Sequence, residues 1–376
     1  MLQYIVDLQS FEGVFRLLSF NSVILKDNIM NENFYELKNN QAYYFTDEIN
    51  RYYFTGLKTT DGNLIIKGNE KTLYIDSRYY SYAKEFLEGN CNVVLFKNYE
   101  EFFEALKNQG IDELFVDYTV MTVAEYEQIL SHGFKVSDCT KELTGVKIVK
   151  SDKEIEYIQK ACDIAFEAYQ KTLPFIKEGV TEAYVRDVLE DNMKKLGASG
   201  TSFDTIVAFG KNAAVPHHET SDAKLENNQC ILMDFGCKYK GYCSDITRMM
   251  FLGIPDDKFM TAYEAVLKAN VTAEEKIEKG MTGIAADKIA RDILDESGYK
   301  GLFTHSLGHG VGLYIHEFPR LSPKSGDTLE NGMCFTVEPG VYLDGEFGIR
   351  IEDSLYMKNG KAVRFFRDDK NLTILK

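Results

Sequence analysis

Residues Cys230–Met250 read CILMDFGCKYKGYCSDITRMM, which predicts two β-strands joined by a tight turn. With Tyr239 and Lys240 as the central turn residues, Asp234 lies directly opposite Asp245 on the neighbouring strand. Cβ atoms at such positions are roughly 4.5–5.5 Å apart, and like charges there are destabilising. A divalent cation between the two carboxylates removes that repulsion, so the hairpin predicts a metal site.

A second hairpin is predicted in Thr336–Asp353, which reads TVEPGVYLDGEFGIRIED. Asp344 and Gly345 form its turn signal, and Glu338 and Glu352 lie symmetrically about Gly345. The alternative for either hairpin is a solvated ladder whose acids face outward. Two such acidic pairs in one chain favour a shared metal site over two unrelated hairpins.

Histidines concentrate between or beside the two hairpins. Five of the six lie there: His217, His218, His305, His309 and His316. Four carboxylates with an imidazole form an oxygen-rich ligand set. Such a set suits manganese, cobalt or ferrous iron, whereas structural zinc sites use cysteine and histidine ligands. Two cations about 3.5–4 Å apart generate hydroxide and stabilise the oxyanion that forms on attack. The ligand set therefore favours metal-assisted hydrolysis.

The bulk properties limit the possible partners and compartments. A chain of 376 residues has room for two domains, and its net charge of −15 argues against nucleic acid or an anionic membrane as partner. Leu17–Leu25, the longest uncharged run near the N-terminus, is too short to span a membrane, and no secretory leader is predicted. The seven scattered cysteines fit a reducing cytoplasm.

Three segments are predicted along the chain. Residues 1–29 differ in character and are interpreted as an N-terminal extension or a misassigned start. Residues 30–142 alternate strand-like and helical runs, as a small α/β domain does. Residues 150–376 form the predicted catalytic domain, in which Ser151 and Glu154 provide a capping box for a long amphipathic helix.

The catalytic segment contains an approximate internal repeat. Ile176–Thr181 precedes a helix that contains Arg186–Leu189, and the similar Ile277–Thr282 precedes one that contains Arg291–Leu294. Each half then continues into strands, a histidine-bearing segment and an acidic hairpin. A duplication with pseudo-two-fold symmetry would bring the two hairpins together; chance likeness between helices is the alternative.

These residues carry a family resemblance. The ligand signature of the pita-bread metallopeptidases is matched by Asp234 (MDFG), Asp245 (CSDITR), His309 (LGHGVG), Glu338 (TVEPG) and Glu352 (RIEDS). The spacing of His305, His309 and His316, with Arg350 shortly after, resembles aminopeptidase P and prolidase most closely. Asn50–Gly56 resembles the creatinase-like N-terminal domain of that family. The implied fold class is α+β: a pita-bread domain with an internal pseudo-two-fold repeat, preceded by a smaller α/β creatinase-like domain.

The resemblance implies a centre of two divalent cations, with manganese favoured and cobalt, iron or zinc as alternatives. Asp245 and Glu352 would bridge both cations, Asp234 would bind one, and His309 and Glu338 would bind the other. A hydroxide shared by the cations would be the nucleophile, and Glu338 would carry its proton.

The resemblance also implies roles for residues outside the ligand set. His316 would steady the oxyanion, and His217 and His305 would orient the substrate. Arg350 would hold neighbouring carboxylates, as its bidentate fork allows. Phe203 would line the pocket for the first residue of the substrate.

The implied substrate is a peptide with proline at position two. Its Xaa-Pro bond has no N–H, so peptidases that hold that group handle it poorly. Aminopeptidase P, which takes longer peptides, is favoured here. Prolidase, which takes dipeptides, is the alternative, and Arg320 would then bind the proline carboxylate; a surface arginine is the other interpretation of Arg320.

More distant alternatives fit the chain less well. Methionine aminopeptidases usually lack the N-terminal domain, creatinase-like enzymes have lost metal ligands, and non-catalytic binding modules of this fold typically lose one or more of them. All five ligand positions are filled in this chain. The resemblance also implies a homodimer.

Overall fold

The computed structural model describes residues 37–376, so the predicted extension 1–29 lies outside the described part of the chain. The chain divides into two compact units, with the division between Lys147 and Ile148. Each unit has its own hydrophobic core. Among the described helices, none has the length and apolar character needed to cross a membrane.

The N-terminal unit is built on a mixed six-stranded sheet with the strand order β4-β3-β2-β1-β5-β6. Its strands are β1 Gln41–Phe45, β2 Asn63–Lys67, β3 Glu70–Ile75, β4 Asn92–Leu95, β5 Glu113–Val116 and β6 Lys135–Asp138. Its helices are α1 Glu48–Thr55, α2 Tyr80–Phe86, α3 Tyr99–Asn108, α4 Val123–Ser131 and α5 Thr140–Ile148, of which the last residue already belongs to the C-terminal unit. The strand-helix alternation expected from the sequence is present.

Strand β1 shows why both faces of this sheet are covered. Tyr43 and Phe45 belong to one apolar cluster, whereas Ala42 and Tyr44 belong to another. Successive side chains of a strand point to opposite faces, so the two clusters lie on opposite sides of the sheet. An uninterrupted apolar run is therefore what this central strand requires.

The C-terminal unit contains several smaller sheets and two pairs of helices. Its strands are β7 Gly200–Thr201, β8 Ile206–Phe209, β9 Gln229–Phe235, β10 Cys237–Tyr239, β11 Tyr242–Cys243, β12 Ile246–Leu252, β13 Gly308–Gly310, β14 Glu317–Leu321, β15 Cys334–Val337, β16 Gly340–Leu343, β17 Phe347–Arg350, β18 Asp353–Lys358, β19 Lys361–Arg364 and β20 Thr373–Leu375. Its helices are α6 Asp152–Thr172, α7 Glu182–Lys195, α8 Asp257–Lys276 and α9 Gly283–Leu294. The sheet orders are β20-β12-β9-β8, β11-β10-β7, β14-β13-β15-β18-β19 and β16-β17.

Helix α6 begins at the predicted capping box. The Ser151 side chain accepts a hydrogen bond from the Glu154 backbone N–H, and Glu154 accepts one from the Ser151 backbone in return. These reciprocal bonds satisfy two backbone donors that a helix N-terminus otherwise leaves without partners.

The two halves of the predicted repeat adopt the same local structure. Gly179 and Gly280 both have φ of 85°, a left-handed conformation that glycine adopts without steric cost. Two residues later, Thr181 caps α7 and Thr282 caps α9 through their side chains. In each half a long helix, a glycine turn and a second helix therefore follow in the same order.

The predicted register of the first hairpin is wrong by two residues. Its central turn residues are Lys240 and Gly241, with φ of 48° and 81°, as a type I′ turn requires. Asp234 therefore lies opposite Thr247 rather than opposite Asp245. The sequence signal was weak because a lysine rarely adopts positive φ. A shift of two residues keeps a side chain on the same face, so both acids still face the same side.

The predicted register of the second hairpin is confirmed. Val337 pairs with Asp353 in one ladder, and Gly340 pairs with Arg350 in the next. Glu338 and Glu352 lie between these ladders, on opposite strands.

A single backbone contact joins the two hairpins. Thr247, which pairs with Asp234 in the first hairpin, also forms a bridge with Glu352 of the second. The Glu352 N–H donates to the Thr247 carbonyl over 3.2 Å. The strand pairings therefore bring acids of both hairpins to one place.

The corrected turn can be tested with two glycine substitutions. Lys240→Gly removes the steric cost of a lysine in the left-handed conformation. We therefore expect the free energy of unfolding of this variant to stay within about 0.5 kcal/mol of the wild-type value. Tyr239→Gly places glycine in a strand, and we expect a loss of about 1 kcal/mol or more. Denaturant unfolding of both variants measures the difference. Equal tolerance of both changes would instead support the turn centred on Tyr239 and Lys240.

Candidate metal centre

The five predicted ligand residues converge on one cavity of about 920 Å³ in the C-terminal unit. Asp234 lies in β9, Asp245 just before β12, His309 in β13, Glu338 just after β15 and Glu352 just before β18. The cavity is also lined by the other predicted site residues: Phe203, His217, His305, His316, Arg320 and Arg350.

Three of these side chains form a cluster of metal-binding dimensions. Asp245, His309 and Glu352 each offer one ligand atom, and these atoms lie within 4.8 Å of one another. The Nε2 atom of His309 lies 3.6 Å from Asp245 Oδ2 and 3.4 Å from Glu338 Oε1. Carboxylates from both hairpins therefore surround a single imidazole nitrogen.

The orientation of His309 leaves Nε2 available as a ligand. Its Nδ1–H donates to the Gly310 carbonyl over 3.0 Å, which fixes the neutral tautomer with its lone pair on Nε2. The pKa of His309 is lowered to about 3, mainly by burial and to a smaller extent by the nearby His316. A buried neutral imidazole held this way is a ready metal ligand.

The acids of the cavity resist ionisation when no cation is bound. Burial raises the pKa of Glu338 to about 8. Burial, reinforced by the neighbouring carboxylates, raises the pKa of Asp245 and of Glu352 well above the ordinary values. Like charges confined in a dry site produce such shifts, and bound cations reverse them.

Asp234 gives an independent indication that the site fits cations. Its Oδ2 accepts a hydrogen bond from Arg350 Nη2 over 2.6 Å, whereas its buried Oδ1 has no hydrogen-bond partner among residues 37–376. Buried polar atoms are normally satisfied, so the free Oδ1 marks a position for a ligand. The donor set and this atom together fit divalent cations.

Hydroxyl groups hold the glutamates in place. The Thr247 hydroxyl donates to Glu352 Oε2 over 2.6 Å, and the Thr336 hydroxyl donates to Glu338 Oε1 over 3.2 Å. Thr247 Oγ1 also accepts from Arg350 Nε over 3.2 Å. One hydroxyl thus links a predicted ligand to the buried arginine.

Arg350 is connected to His305 through Tyr342, which the sequence analysis did not select. Arg350 Nη1 donates to the Tyr342 hydroxyl, which in turn donates to His305 Nε2, both over 2.8 Å. Burial, followed by the Arg350 charge, lowers the pKa of His305 to about 4, so this histidine stays neutral. Only the folded hairpin places the Tyr342 hydroxyl here, between Arg350 and His305.

The remaining histidines fall into two groups. The His316 ring packs edge-on against that of His309, with centroids 4.4 Å apart, and His217 lies on the cavity wall. His218 also lines the cavity, but its Nε2 contacts the buried Glu182 carboxylate over 2.8 Å. The sequence cluster therefore contains both site and structural histidines.

Arg320 and Phe203 also line the cavity. Arg320 lies in β14, where it pairs with His309 of β13, and its side chain is exposed. Within residues 37–376 it has no ion-pair partner, and the Phe318 ring lies 6.0 Å from its guanidinium. A charged group in this position is available to a ligand that enters the cavity.

The chain is similar to known metallopeptidases along nearly all of its length. The profile of metallopeptidase family M24 matches residues 156–359, and that of the creatinase/prolidase N-terminal domain matches residues 33–149. An Xaa-Pro dipeptidase from Pyrococcus furiosus is 39% identical over 328 residues, which cover 86% of this chain and 92% of the relative.

Solved structures give the same result. An Xaa-Pro dipeptidase from Bacillus anthracis superposes with a TM-score of 0.86 at 32% identity, covering 96% of this chain and 99% of the other. An X-Pro aminopeptidase from Thermotoga maritima has a TM-score of 0.84 at 32% identity, covering 89% and 97%. The fold expected from the sequence, a pita-bread domain after a creatinase-like domain, is confirmed by these similarities.

The hydroxyl of Thr247 can be tested for its effect on cation binding. In Thr247→Val, Glu352 loses its donor and Arg350 loses an acceptor, so we expect Mn²⁺ affinity to fall about 10–100-fold. Thr247→Ser keeps the hydroxyl and serves as the matched control, with affinity close to wild type. Isothermal titration calorimetry measures both. Equal affinities for Thr247→Val and wild type would show that this hydroxyl does not support the site.

The raised acid pKa values predict a pH-dependent stability in metal-free protein. Between the ordinary value of 4.5 and about 8, folded Glu338 keeps a proton that the unfolded chain has lost, so its contribution to stability disappears as pH rises. Buried Glu274, also raised to about 8, acts likewise without belonging to the site. The lowered pKa values of His305 and His309 oppose this effect only below about 6.5. We therefore expect the melting temperature to fall from pH 6.5 to 8.

Saturating Mn²⁺ should weaken this pH dependence, because bound cations favour the ionised acids of the site. The part of the fall in melting temperature that is due to Glu274 should remain, because Glu274 lies outside the site. Differential scanning fluorimetry with and without the metal measures both slopes. Identical slopes would mean that the cations do not bind at these acids.

Proposed function

The chain belongs to metallopeptidase family M24, and on that basis we propose that its cavity hydrolyses the bond between an N-terminal residue and a proline at position two. The observation that carries the proposal is the convergence of four carboxylates and a neutral imidazole on one cavity, with Asp234 Oδ1 left without a partner. The substrates are peptides, and the relatives named as Xaa-Pro peptidases support proline in the second position.

We assign two divalent cations to this site. Asp245 and Glu352 would be shared between them, Asp234 would bind one, and His309 and Glu338 would bind the other. Oxygen-rich ligand sets favour manganese over zinc, so Mn²⁺ is the proposed ion. When bound, the cations would acidify a water molecule and polarise the scissile carbonyl.

Proton transfer is assigned to Glu338. Its Oε1 lies 3.4 Å from His309 Nε2 and accepts a hydrogen bond from the Thr336 hydroxyl, so the carboxylate is held beside the proposed cation ligands. It would accept the proton of the attacking water and deliver it to the proline nitrogen as the bond breaks. A tertiary amide nitrogen needs that proton to leave as an amine.

The remaining side chains position the substrate. His316, which packs against His309, would donate to the carbonyl oxygen as negative charge develops there. His217 and His305 would orient the peptide, and Arg350 would keep Asp234 in place through its 2.6 Å contact. Phe203 would pack against the side chain of the first residue.

Arg320 favours dipeptides within this class of substrate. An exposed guanidinium on the cavity wall, without an ion-pair partner in the described chain, suits the free carboxylate of an Xaa-Pro dipeptide. In a longer peptide that carboxylate is replaced by a neutral amide. Its position supports the prolidase alternative over the aminopeptidase P interpretation that the sequence alone favoured, and relatives of both names are similar to this chain.

A cytoplasmic location and a homodimeric assembly are also part of the proposal. All seven cysteines are free, and most are buried, as expected in a reducing cytoplasm. The homodimer stays a prediction from the family resemblance.

Removal of a shared ligand tests the two-cation site. Asp245→Ala deletes a carboxylate assigned to both cations, so we expect loss of peptidase activity and a fall in bound Mn²⁺ from two ions to one or none. Asp344→Ala, in the exposed turn of the second hairpin, is the control and should keep both. Elemental analysis and Ala-Pro hydrolysis measure the two effects. An active Asp245→Ala enzyme would contradict the proposal.

Peptide length tests the role of Arg320. In Arg320→Ala we expect kcat/KM for Ala-Pro to fall about 10–100-fold, since a charge-assisted hydrogen bond contributes about 1.5–3 kcal/mol. The value for Ala-Pro-Ala should change little, and Arg320→Lys should retain part of the dipeptide activity. Equal losses on both peptides would exclude Arg320 as the carboxylate-binding residue. Failure of wild-type protein to cleave either peptide would favour a non-catalytic binding module.

A further inference from the structure

A buried ion pair lies beside the site, next in sequence to the cavity residue His316. Lys150 Nζ contacts Glu317 Oε1, and the two side chains are only 1% and 14% exposed. Lys150 lies in the short gap between the two matched profiles, which cover residues 33–149 and 156–359. Burying two charges costs free energy that their attraction often fails to recover, so such a pair commonly has a purpose other than stability.

The backbone around Lys150 holds its side chain in a fixed place. Its N–H donates to the Gly332 carbonyl over 2.8 Å, and its ammonium also donates to the Ile148 carbonyl over 3.2 Å. The next residue, Ser151, caps α6. The ammonium group is therefore presented to Glu317 from a rigid part of the C-terminal unit.

Glu317 in turn holds the segment that carries His316. Its Oε2 accepts from the Tyr314 N–H over 3.4 Å, at the other end of the short turn that contains His316. A Cβ atom built on Gly312 would lie 2.6 Å from Glu317 Oε1, so the carboxylate packs directly on the backbone there. Gly312 is also held by the chain near a predicted metal ligand. Its carbonyl accepts a hydrogen bond over 2.8 Å from the N–H of Cys243, which lies two residues before Asp245.

We propose that Lys150 and Glu317 are positioning residues for His316. The ion pair holds the Glu317 carboxylate against Gly312 and Tyr314, and these contacts fix the turn that places the His316 ring beside His309. Without the ammonium, the carboxylate is left buried and uncompensated, so it must move toward water and release the turn. This inference rests on the proposed function only for the catalytic role of His316.

A double-mutant cycle on Ala-Pro hydrolysis tests the connection. A displacement of about 1 Å in an active site can cost about 100-fold in rate, so we expect Lys150→Met to lower kcat/KM at least 10-fold. If Lys150 acts through His316, Lys150→Met should cost less than threefold in the His316→Ala background. Full additivity of the two losses would overturn the proposal. Lys150→Arg, which keeps the charge, should restore most of the activity.

Matched substitutions separate positioning from general destabilisation. Lys153→Met removes a lysine three residues away, whose pair with Glu156 is exposed, and should leave activity unchanged. Glu317→Gln should reproduce the effect of Lys150→Met, and it replaces that variant in the cycle if Lys150→Met does not fold. Normal activity in a folded Glu317→Gln enzyme would overturn the proposal.

A spectroscopic measurement tests the position of His316 without using activity. In protein with ¹³C-labelled histidine, the His316 Cε1–H resonance is identified by its absence from His316→Gln. We expect Glu317→Gln to shift this resonance while the His132 resonance, from the N-terminal unit, stays in place. An unchanged His316 resonance would overturn the positioning role. A shift in protein that hydrolyses neither peptide would support it and refute only the proposed function.

Discussion

The burial and mutual repulsion of the carboxylates in the cavity are the constraint on which the rest of the site depends. Without cations, the pKa values of Asp245, Glu338 and Glu352 are raised, so the folded chain favours their protonated forms. Arg350 offsets part of this cost at Asp234, but one guanidinium cannot neutralise four acids. The site is therefore built for ligands with a high positive charge, and its selectivity for metals follows from the same repulsion.

The backbone resists this repulsion where the two hairpins meet. Thr247 pairs with the strand of Asp234 on one side and bridges to Glu352 on the other. Behind it, Arg248 donates to the carbonyls of Thr247 and Glu352 over 3.0 and 2.6 Å and forms an ion pair with buried Asp353. The acids are thus held together by strand pairing and by a buried cation outside the cavity, before any metal binds.

Much of this arrangement was predictable from local sequence patterns. The symmetry of Glu338 and Glu352 about Gly345 gave the correct register, because that turn contains a glycine in the left-handed conformation. The first hairpin was misregistered because Lys240 adopts the same conformation without the usual sequence signal. Tyr342 was missed for another reason: a hydroxyl that links two distant residues has no periodicity, so only tertiary structure places it.

The internal repeat explains how one chain supports two histidine-bearing segments. Glu182 of α7 and Asp287 of α9 are both fully buried and lie the same number of residues apart as Arg186 and Arg291. Glu182 accepts from backbone near His218, and Asp287 accepts from the Leu307 N–H next to the second segment. The arginines have diverged: Arg291 donates to the His305 carbonyl, whereas Arg186 lines the cavity. The two halves therefore share a helix with a buried acid that accepts from the backbone of a histidine-bearing segment, and they differ in whether the arginine of that helix lines the cavity.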